Sequence, residues 1–189
     1  MKSSLKKKSS SSQVAQDKPK FSWKDDKNGV FFYSRNKNLE SKFFSNFMPF
    51  PIKAQGEVFP TSEHLYQAMK FTGMKAKFQD VLEAPTPLRA KQLGKRKTNI
   101  VNWDELKFDV MLWVIQLKVS QNPEVLDVLV STGDRNLVED APRDYVWGCG
   151  RSGTGTNKLG RILMTVREQV KKGELKDVPQ DKQFDFKFV

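Results

Sequence analysis

Glu63, Gln67 and Lys70 lie at positions i, i+4 and i+7 of the segment TSEHLYQAMK, residues 61–70. On an α-helix these three side chains fall within a ~60° sector of one face. A carboxylate can move protons and a neutral amine can attack an electrophilic carbon, so this face carries groups for acid–base and nucleophilic chemistry. The alternative interpretation is a polar helix face that only contacts solvent.

A single histidine and a single cysteine limit the chemistry open to this chain. Cys149 alone excludes an intramolecular disulfide, and one histidine with one cysteine cannot form a zinc site of Cys and His ligands. A Ser–His–Asp triad would have to use His64, and no nucleophile-elbow motif accompanies it. We therefore expect carboxylates, lysine, aromatic rings and backbone amides to perform any reaction, with no metal and no cofactor.

The glycine-rich segment DYVWGCGRSGTGTNKLGR, residues 144–161, is a second candidate site. Glycines before a helix allow backbone amides to surround an anion, and the positive end of the helix dipole adds to the attraction. Gly148, Gly150 and Gly153 match G-x-G-x-x-G, but no βαβ unit surrounds them, so we reject a dinucleotide fingerprint. Asn157 is placed to cap the following helix. The segment indicates either a phosphate-binding loop or a flexible glycine turn.

Basic and aromatic residues supply further candidate binding groups. Residues 89–97, RAKQLGKRK, could hold the phosphates of a nucleotide or of a nucleic-acid backbone, or could form an ordinary basic surface. Trp103 and Trp147 are flanked by polar segments, and each could stack on a base or anchor the core.

The chain of 189 residues suits one domain with tails. Residues 1–20 contain six lysines, six serines and one aspartate, carry +5 of the net charge of +11, and are predicted to be disordered. Lys6–Lys8 could be a nuclear-import or nucleic-acid arm, or part of a solubilising tail. No run of 18 apolar residues predicts a membrane span. We expect an intracellular protein with no membrane partner, cytoplasmic or, if the basic tail acts as an import signal, nuclear.

The elements that would position these residues are mostly helices. The pattern predicts a buried strand at 30–33, a hairpin at 52–59 and a strand at 137–139. Helices are predicted between Thr61 as N-cap and Gly73 as stop, and at 74–83, from 87, at 103–121, 123–130 and 158–171, with Asn102 capping the longest. We assign residues 1–20 to a basic tail, 21–172 to the domain and 173–189 to a C-terminal tail whose FDFKFV docks as an edge strand or stays loose. The predicted class is α+β, one compact helix-rich domain with a small antiparallel sheet.

Several segments together resemble the NADAR domain family, also called YbiA-like. They occur in the family's order over about residues 29–170, and LGKRK at 93–97 departs from the usual single arginine after Leu-Gly. They are FFSNF at 43–47, FPTSEHLYQAMKF at 59–71, the alanine–leucine–glycine–basic run at 90–96, NWDELKFDVM at 102–111, STGDRNLVEDAPRDYVWGCG at 131–150 and GTGTNKLGRILMTVR at 153–167.

The resemblance implies a compact helix-rich α+β fold and an N-glycosidase activity on one of two substrate classes. One class is ADP-ribose attached to guanine in nucleic acid, and the other is the ribosylamino-pyrimidine phosphates of early riboflavin synthesis. A third role is a module that binds NAD-related nucleotides, ADP-ribose or nucleic acid without turnover. In both substrates ribose C1 is bonded to an exocyclic nitrogen that keeps a hydrogen, so the sugar can open to an imine that an amine can attack.

We predict that removal of ADP-ribose from guanine is the reaction, because the net charge of +11 suits a polyanionic substrate. Lys70 is the predicted nucleophile once burial lowers its pKa, Glu63 moves the protons, and Asp144 is a second carboxylate. In the alternative, Glu63 or Asp144 activates water directly and Lys70 only holds a hydroxyl or phosphate. The predicted substrate-binding residues are Asn46, Tyr66, Gln67, Arg96, Trp103, Trp147, Gly148, Gly153 and Asn157.

Overall fold

The computed structural model describes residues 21–33 and 42–189. The disorder predicted for residues 1–20 lies outside the described residues. The elements agree closely with the predicted helices and strands and form a helix-rich α+β domain. In chain order they are a 3₁₀ turn at Trp23–Asp25, β1 Val30–Phe32, β2 Ile52–Ala54, β3 Glu57–Phe59, α1 Ser62–Met69, α2 Lys75–Leu82, α3 Pro87–Leu93, α4 Trp103–Gln121, α5 Pro123–Ser131, β4 Leu137–Glu139 and α6 Lys158–Lys171.

The strands form two separate pairs. β2 and β3 are the predicted antiparallel hairpin, and Gln55 and Gly56 between them have φ values of 53° and 74°, as a tight hairpin turn requires. β1 and β4 pair in parallel, with Val30 opposite Leu137. The prediction of an antiparallel sheet omitted this pair, because a parallel pairing joins distant parts of the chain and leaves no local turn signal.

Helix α1 is buried along its whole length, from Ser62 to Met69. It contacts α2, α3 and α4, so its polar side chains face protein on every side. The expected N-cap forms, since the hydroxyl of Thr61 accepts a hydrogen bond from the His64 amide at 3.3 Å. The helix ends before the predicted stop at Gly73 because the backbone tightens after Met69 into bonds of the i to i+3 kind. A solvated polar face is therefore wrong for this helix.

Among the described helices α4 is the longest, and it carries a fully buried lysine near its C-terminal end. The ammonium group of Lys118 donates to the carbonyls of Phe43 and Ser45, the latter at 2.9 Å. These bonds hold the segment that leads to Asn46, whose carbonyl accepts from the Glu63 amide at 3.0 Å. In the described part of the chain no helix is both long and apolar enough to cross a bilayer.

The C-terminal residues 179–189, here named the C-terminal strap, lie against the start of α4. Phe188 forms an antiparallel bridge with Ile100, in keeping with the docked form of this tail. The predicted helix cap at Asn102 is wrong: its side chain makes no cap bond to α4. Instead the side-chain amide of Asn102 bonds the strap, whose backbone offers it both an N–H donor and a carbonyl acceptor.

Candidate active site

The row predicted on α1 is present and continuous. The amide of Gln67 donates to Glu63 Oε1 at 2.8 Å, and both side chains are 5% exposed. Lys70, just beyond the last helical residue, donates from Nζ to the carbonyl of Gly94 at 3.2 Å. A carboxylate, an amide and an amine therefore line one buried face, as helical spacing predicts.

Burial is the largest influence on both charged groups of this row. It raises the pKa of Glu63 and lowers the pKa of Lys70, although the charge of each group acts on the other in the opposite sense. Lys91 also lowers the pKa of Glu63 without reversing the shift. Both net shifts favour the neutral forms, a protonated acid and a free amine, which are the forms that amine nucleophilic catalysis uses.

Aromatic rings surround the amine of Lys70. Its Nζ lies 5.7 Å from the ring centroid of Tyr66 and 5.5 Å from that of Trp103. The ring of Tyr66 contacts those of Trp103 and Trp147, with centroid separations of 5.4 and 5.6 Å. These rings cover part of the half-buried amine, and this burial lowers the pKa of Lys70. Such flat faces can also stack on a base.

Gly94, at the end of α3, allows close packing of α3 against the row. A Cβ at this position would collide with the side-chain amide of Gln67. The absence of a side chain therefore leaves room for Gln67 to bond Glu63, and the carbonyl of the same glycine accepts from Lys70. One backbone position thus supports two members of the row.

Asp144 lies near the other carboxylates, and its charge raises the pKa of Glu63 and of Glu139. Its Oδ1 accepts hydrogen bonds from the amides of Val146 and Trp147 at 3.0 and 2.7 Å. This arrangement is an Asx turn, which orients the backbone at Trp147. Asp144 therefore has a clear positioning task in addition to its predicted role as a second carboxylate.

Glu139 is a carboxylate that the sequence analysis did not identify. Strand alternation places it on the face of Leu137, which packs in the main core, while Val138 packs in a smaller cluster on the other face. Burial raises the pKa of Glu139 to about 8, and the negative charges of Asp144 and Glu63 add to the shift. The sequence does show an acidic residue at the end of an apolar strand. It does not show how that residue is oriented, because the parallel pairing of β1 with β4 joins distant parts of the chain.

Several buried polar atoms in and beside the row have no hydrogen-bond partner among the described residues. Unpaired buried polar atoms are uncommon and cost about 1–3 kcal/mol each. Sugar hydroxyls and base N–H groups are donors that could satisfy such oxygens. These atoms are therefore candidates for hydrogen bonds to a ligand. They are Asn46 Oδ1, Ser62 Oγ, Gln67 Oε1 and Glu139 Oε2.

Lys91 is the basic residue of the 89–97 run whose charge reaches these carboxylates. It lowers the pKa of both Glu63 and Glu139. Arg96, predicted to bind substrate, instead pairs with Asp80 at 2.8 Å and helps to line a separate cleft of about 350 Å³. Arg96 therefore makes an ion pair in the structure, and its predicted role in substrate binding stays a prediction.

The glycine-rich segment uses its amides internally. Those of Gly153 and Gly155 donate to carbonyls of the same segment at 3.2 and 2.8 Å. The first two amides of α6 donate to the carbonyls of Val146 and Trp147 at 3.0 and 3.1 Å. These amides therefore fold the segment onto itself, as a glycine turn would, and a Cβ at Gly153 would collide with the hydroxyl of Ser22. The role of Gly153 in substrate binding stays a prediction.

Asn157 and Gly148 fix strand β4. Asn157, with φ 49°, donates from Nδ2 to the carbonyl of Leu137 at 2.9 Å and accepts from the amide of Glu139 at 3.0 Å. It makes no side-chain cap bond to α6, so the predicted cap is wrong. A Cβ at Gly148 would lie 2.8 Å from the carbonyl oxygen of Glu139. Both predicted ligand residues are placed to orient Glu139.

Neither the imidazole of His64 nor the thiol of Cys149 is activated as a nucleophile or a general base. The carbonyl of Ala84 can only accept, so His64 Nε2 donates to it at 3.0 Å, and Nδ1 accepts from the hydroxyl of Thr61 at 2.8 Å. Burial lowers the pKa of His64 and raises that of Cys149 to about 11. The ring therefore stays neutral and the thiol protonated near pH 7. Neither group competes with Lys70 as the nucleophile.

The site is a half-buried amine beside carboxylates in a small α+β domain, and relatives of this chain include N-glycosidases, which are hydrolases of N-glycosyl bonds. N-glycosidase YbiA of Escherichia coli (strain K12) is 36% identical over 143 residues, which are 75% of this chain and 88% of that protein. An N-glycosidase of Nostoc punctiforme is 40% identical over 132 residues, 68% of this chain and 85% of its own. The NADAR domain model matches residues 31–171, and the chain belongs to this family as an N-glycosidase.

Structural comparison gives the same result. The NMR structure of YbiA from E. coli matches with a TM-score of 0.68 at 36% sequence identity, over 78% of this chain and 87% of that one. The helix-rich α+β class is therefore confirmed. A riboflavin biosynthesis protein of Vibrio vulnificus is also similar, 36% identical over 143 residues, which cover 75% of this chain and 38% of that longer protein.

Proposed function

We propose that this N-glycosidase removes ADP-ribose from ADP-ribosylated guanine in nucleic acid through a Schiff base on Lys70. The observation that carries the proposal is the environment of this amine. It lies between Tyr66 and Trp103, follows Glu63 on one helix face, and has a lowered pKa. A neutral amine can attack ribose C1, whereas an ordinary surface lysine stays protonated and unreactive.

The first steps open the sugar and attach it to Lys70. The exocyclic nitrogen loses its proton to a base as the bond from C1 to the ring oxygen breaks, and Glu63 protonates that oxygen. The free amine of Lys70 then adds to C1 of the resulting imine, and one proton of that amine passes to the guanine nitrogen. The product carries two nitrogens on C1, one from guanine and one from Lys70.

The remaining steps release the base and then the sugar. The bond from C1 to the guanine nitrogen breaks, a carboxylic acid protonates that nitrogen, and C1 stays attached to Lys70 as a Schiff base. Water adds to C1 with Glu63 as base, and the bond to Lys70 breaks as the amine takes up a proton. The net reaction consumes one water and hydrolyses one N-glycosyl bond.

Glu139 is better supported than Asp144 as the acid for the leaving base. Its pKa of about 8 means that most of it is protonated at neutral pH, and its Oε2 has no partner among the described residues. Asp144 uses Oδ1 to hold two amides. In this assignment Asp144 raises the pKa of Glu139 and orients Trp147, while Glu139 donates the proton.

The substrate-binding groups follow from the same geometry. Trp147 and Tyr66 offer aromatic faces for the base, and Asn46 and Gln67 offer unpaired oxygens for ribose hydroxyls. Lys91 is the basic residue near the carboxylates and is our candidate for the phosphates. The net charge of +11 would attract a nucleic-acid substrate over a longer range.

A second candidate substrate is a ribosylamino-pyrimidine phosphate of early riboflavin synthesis. The similarity to proteins named for riboflavin biosynthesis supports it, and the same Schiff-base chemistry would apply. The two substrates differ in charge, so their salt dependence differs. Turnover of nucleic acid should weaken steeply as salt rises from 50 to 200 mM, because counterion release contributes to its binding. Turnover of the small substrate should change little.

Borohydride trapping tests the mechanism directly. The protein is incubated with a guanine-ADP-ribosylated oligonucleotide and borohydride, which reduces a Schiff base to a stable amine. We expect intact mass to show a sugar adduct, and peptide mapping to place it on Lys70. Lys70→Ala should form none, whereas the matched control Lys75→Ala, at an exposed lysine, should behave as the parent.

Other outcomes identify the alternatives. Guanine release without an adduct would replace the Schiff base with water activated by Glu63 or Asp144. If the oligonucleotide releases no guanine but the ribosylamino-pyrimidine phosphate gives a sugar adduct on Lys70, the second candidate is the substrate. Binding of ADP-ribose without turnover of either substrate, unaffected by Lys70→Ala and Glu63→Ala, would leave a binding module and contradict the proposal.

A further inference from the structure

The C-terminal strap lies beyond the segment that the NADAR domain model matches, which ends at residue 171. It nevertheless makes specific bonds with the chain just before α4. The amide of Val101 donates to the carbonyl of Lys187 at 2.9 Å, and the amide of Val189 donates to that of Asn99 at 3.0 Å. These bonds, with the bridge at Phe188, form a short antiparallel ladder.

Asn102 adds a side-chain clamp to this ladder. Its Nδ2 donates to the carbonyl of Asp185 at 2.8 Å, and its Oδ1 accepts from the amide of Lys187 at 2.8 Å. Both polar atoms of the residue that precedes α4 are therefore bonded to the strap. The side chain of Asn102 makes no cap bond to α4, whose first residue is Trp103, and is held by the strap.

The strap also supports the ring of Trp103. Phe186 is stacked with it, at a centroid separation of 6.3 Å and an angle of 25°. Trp103 in turn contacts Tyr66 and lies 5.5 Å from the Nζ of Lys70. A continuous set of contacts therefore runs from Phe186 through Trp103 to the amine.

The strap is itself anchored at a second place, away from Lys70. Trp113, within α4, donates from its indole to the carbonyl of Pro179 at 2.7 Å, and its ring contacts Phe184 with a centroid separation of 5.7 Å. Gln55 in the hairpin turn bonds the carbonyls of Gln180 and Lys182 at 3.1 and 2.9 Å. With anchors before and after it, Phe186 has little freedom to leave Trp103.

We propose that the C-terminal strap is a positioning element for the nucleophile, with Phe186 holding the ring of Trp103 against the amine of Lys70. The role in turnover rests on the proposed function, in which Lys70 must be neutral. A displaced Trp103 would admit water to the amine, stabilise its charged form and reduce the fraction that can attack. The strap would thus act on the reaction without touching the substrate.

The test compares Phe186→Ala with Phe188→Ala in the full chain. Both remove a phenyl ring from the strap, but the side chain of Phe188 is 52% exposed and only Phe186 stacks with Trp103. The first readout needs no substrate: competitive labelling of Lys70 with acetic anhydride from pH 6 to 11, read by mass spectrometry. We expect the midpoint to rise towards that of an ordinary lysine in Phe186→Ala and to change much less in Phe188→Ala, because the ring of Phe188 contacts Phe186 at its edge and does not stack with Trp103.

The second readout is turnover of the ADP-ribosylated oligonucleotide. We expect kcat of Phe186→Ala to fall on the order of 10- to 100-fold with little change in KM, because the nucleophile is misplaced and not the substrate. Phe186→Leu keeps an apolar contact and should recover most of the loss. Thermal unfolding of every variant identifies one that fails to fold, and Phe186→Val, a milder truncation that still removes the ring stacked with Trp103, then replaces Phe186→Ala in both readouts.

The outcomes separate this inference from the proposed function. A raised labelling midpoint of Lys70 in Phe186→Ala supports the strap even if the parent cleaves neither substrate, in which case the proposed reaction fails alone. An unchanged midpoint and unchanged kcat in a folded Phe186→Ala would overturn the inference. Equal effects of Phe186→Ala and Phe188→Ala would also overturn it, since the effect could then not be assigned to the contact between Phe186 and Trp103.

Discussion

At the scale of single residues, the site depends on shifts in protonation that burial produces. Lys70 has a lowered pKa and Glu139 a raised one, and desolvation is the largest cause of both. The two shifts favour the forms that the proposed reaction needs, a free amine and a protonated acid. Turnover should therefore be fastest at a pH that lies above the pKa of Lys70 and below that of Glu139, where the amine is free and the acid is protonated.

The pH profile tests the role of Glu139. The rate should rise with pH as Lys70 loses its proton, and fall with pH through about 8 as Glu139 loses its own. Glu139→Gln keeps the shape of the side chain but cannot donate a proton in the same way. We expect kcat/KM to fall by ~10²–10⁴-fold and the alkaline decline near pH 8 to disappear.

The matched control for this prediction is Glu83→Gln at an exposed carboxylate, which should keep the profile of the parent. An alkaline decline that persists unchanged in Glu139→Gln would assign it to another group. In that case Asp144, whose charge acts on both Glu63 and Glu139, becomes the next carboxylate to replace.

At the scale of elements, the site depends on how closely α3 approaches α1. Gly94 has φ −63°, a conformation that any residue adopts, so its need for glycine comes from packing alone. The side-chain amide of Gln67 occupies the place of a Cβ. The contact between the two helices thereby determines whether Gln67 can bond Glu63.

Gly94→Ala should push Gln67 away from Glu63 and disturb the carbonyl that accepts from Lys70. We expect turnover to fall on the order of 10²-fold, since small displacements of catalytic groups have effects of this size. Overpacking should also lower the free energy of unfolding by about 1–3 kcal/mol. Steady-state kinetics and denaturant unfolding measure the two effects.

The double variant Gly94→Ala with Gln67→Ala is the control, because it removes the group with which the new methyl collides. The losses in unfolding free energy should then be clearly less than additive, with a coupling of about 0.5–3 kcal/mol. Additive losses would mean that Gly94 acts independently of Gln67.

At the scale of the whole molecule, charge governs the encounter with substrate. Residues 1–20 supply +5 of the net +11, which leaves +6 for the other residues. Attraction to nucleic acid is shared by all these charges, whereas the chemistry is confined to the buried row. Binding and turnover should therefore respond differently to loss of the N-terminal charges.

Removal of residues 1–20 should weaken binding to an oligonucleotide and make its salt dependence shallower, because fewer lysines displace counterions. At saturating substrate kcat should not change. Fluorescence anisotropy between 50 and 200 mM salt measures the slope, and replacement of the six tail lysines by serine controls for length. Equal slopes for the parent and both variants would show that the tail does not contact the nucleic acid.

The sequence by itself determined the elements and the main row of the site. Capping at Thr61, the proline at the start of α3 and helical periodicity are local signals, so the helices and the alignment of Glu63, Gln67 and Lys70 could be predicted. The family could be identified from its motifs for the same reason, since short segments in a fixed order are visible in a sequence.

Only the tertiary structure decided which polar groups are buried away from water and which hydrogen-bond partners they have. The burial of α1, the parallel pairing that orients Glu139 and the effect of Lys91 on the pKa of the carboxylates all depend on contacts between distant segments. Instead of capping helices, the side chain of Asn102 bonds the C-terminal strap and that of Asn157 bonds strand β4. Desolvation and hydrogen-bond competition are set by packing in three dimensions, and no local pattern of residues records them.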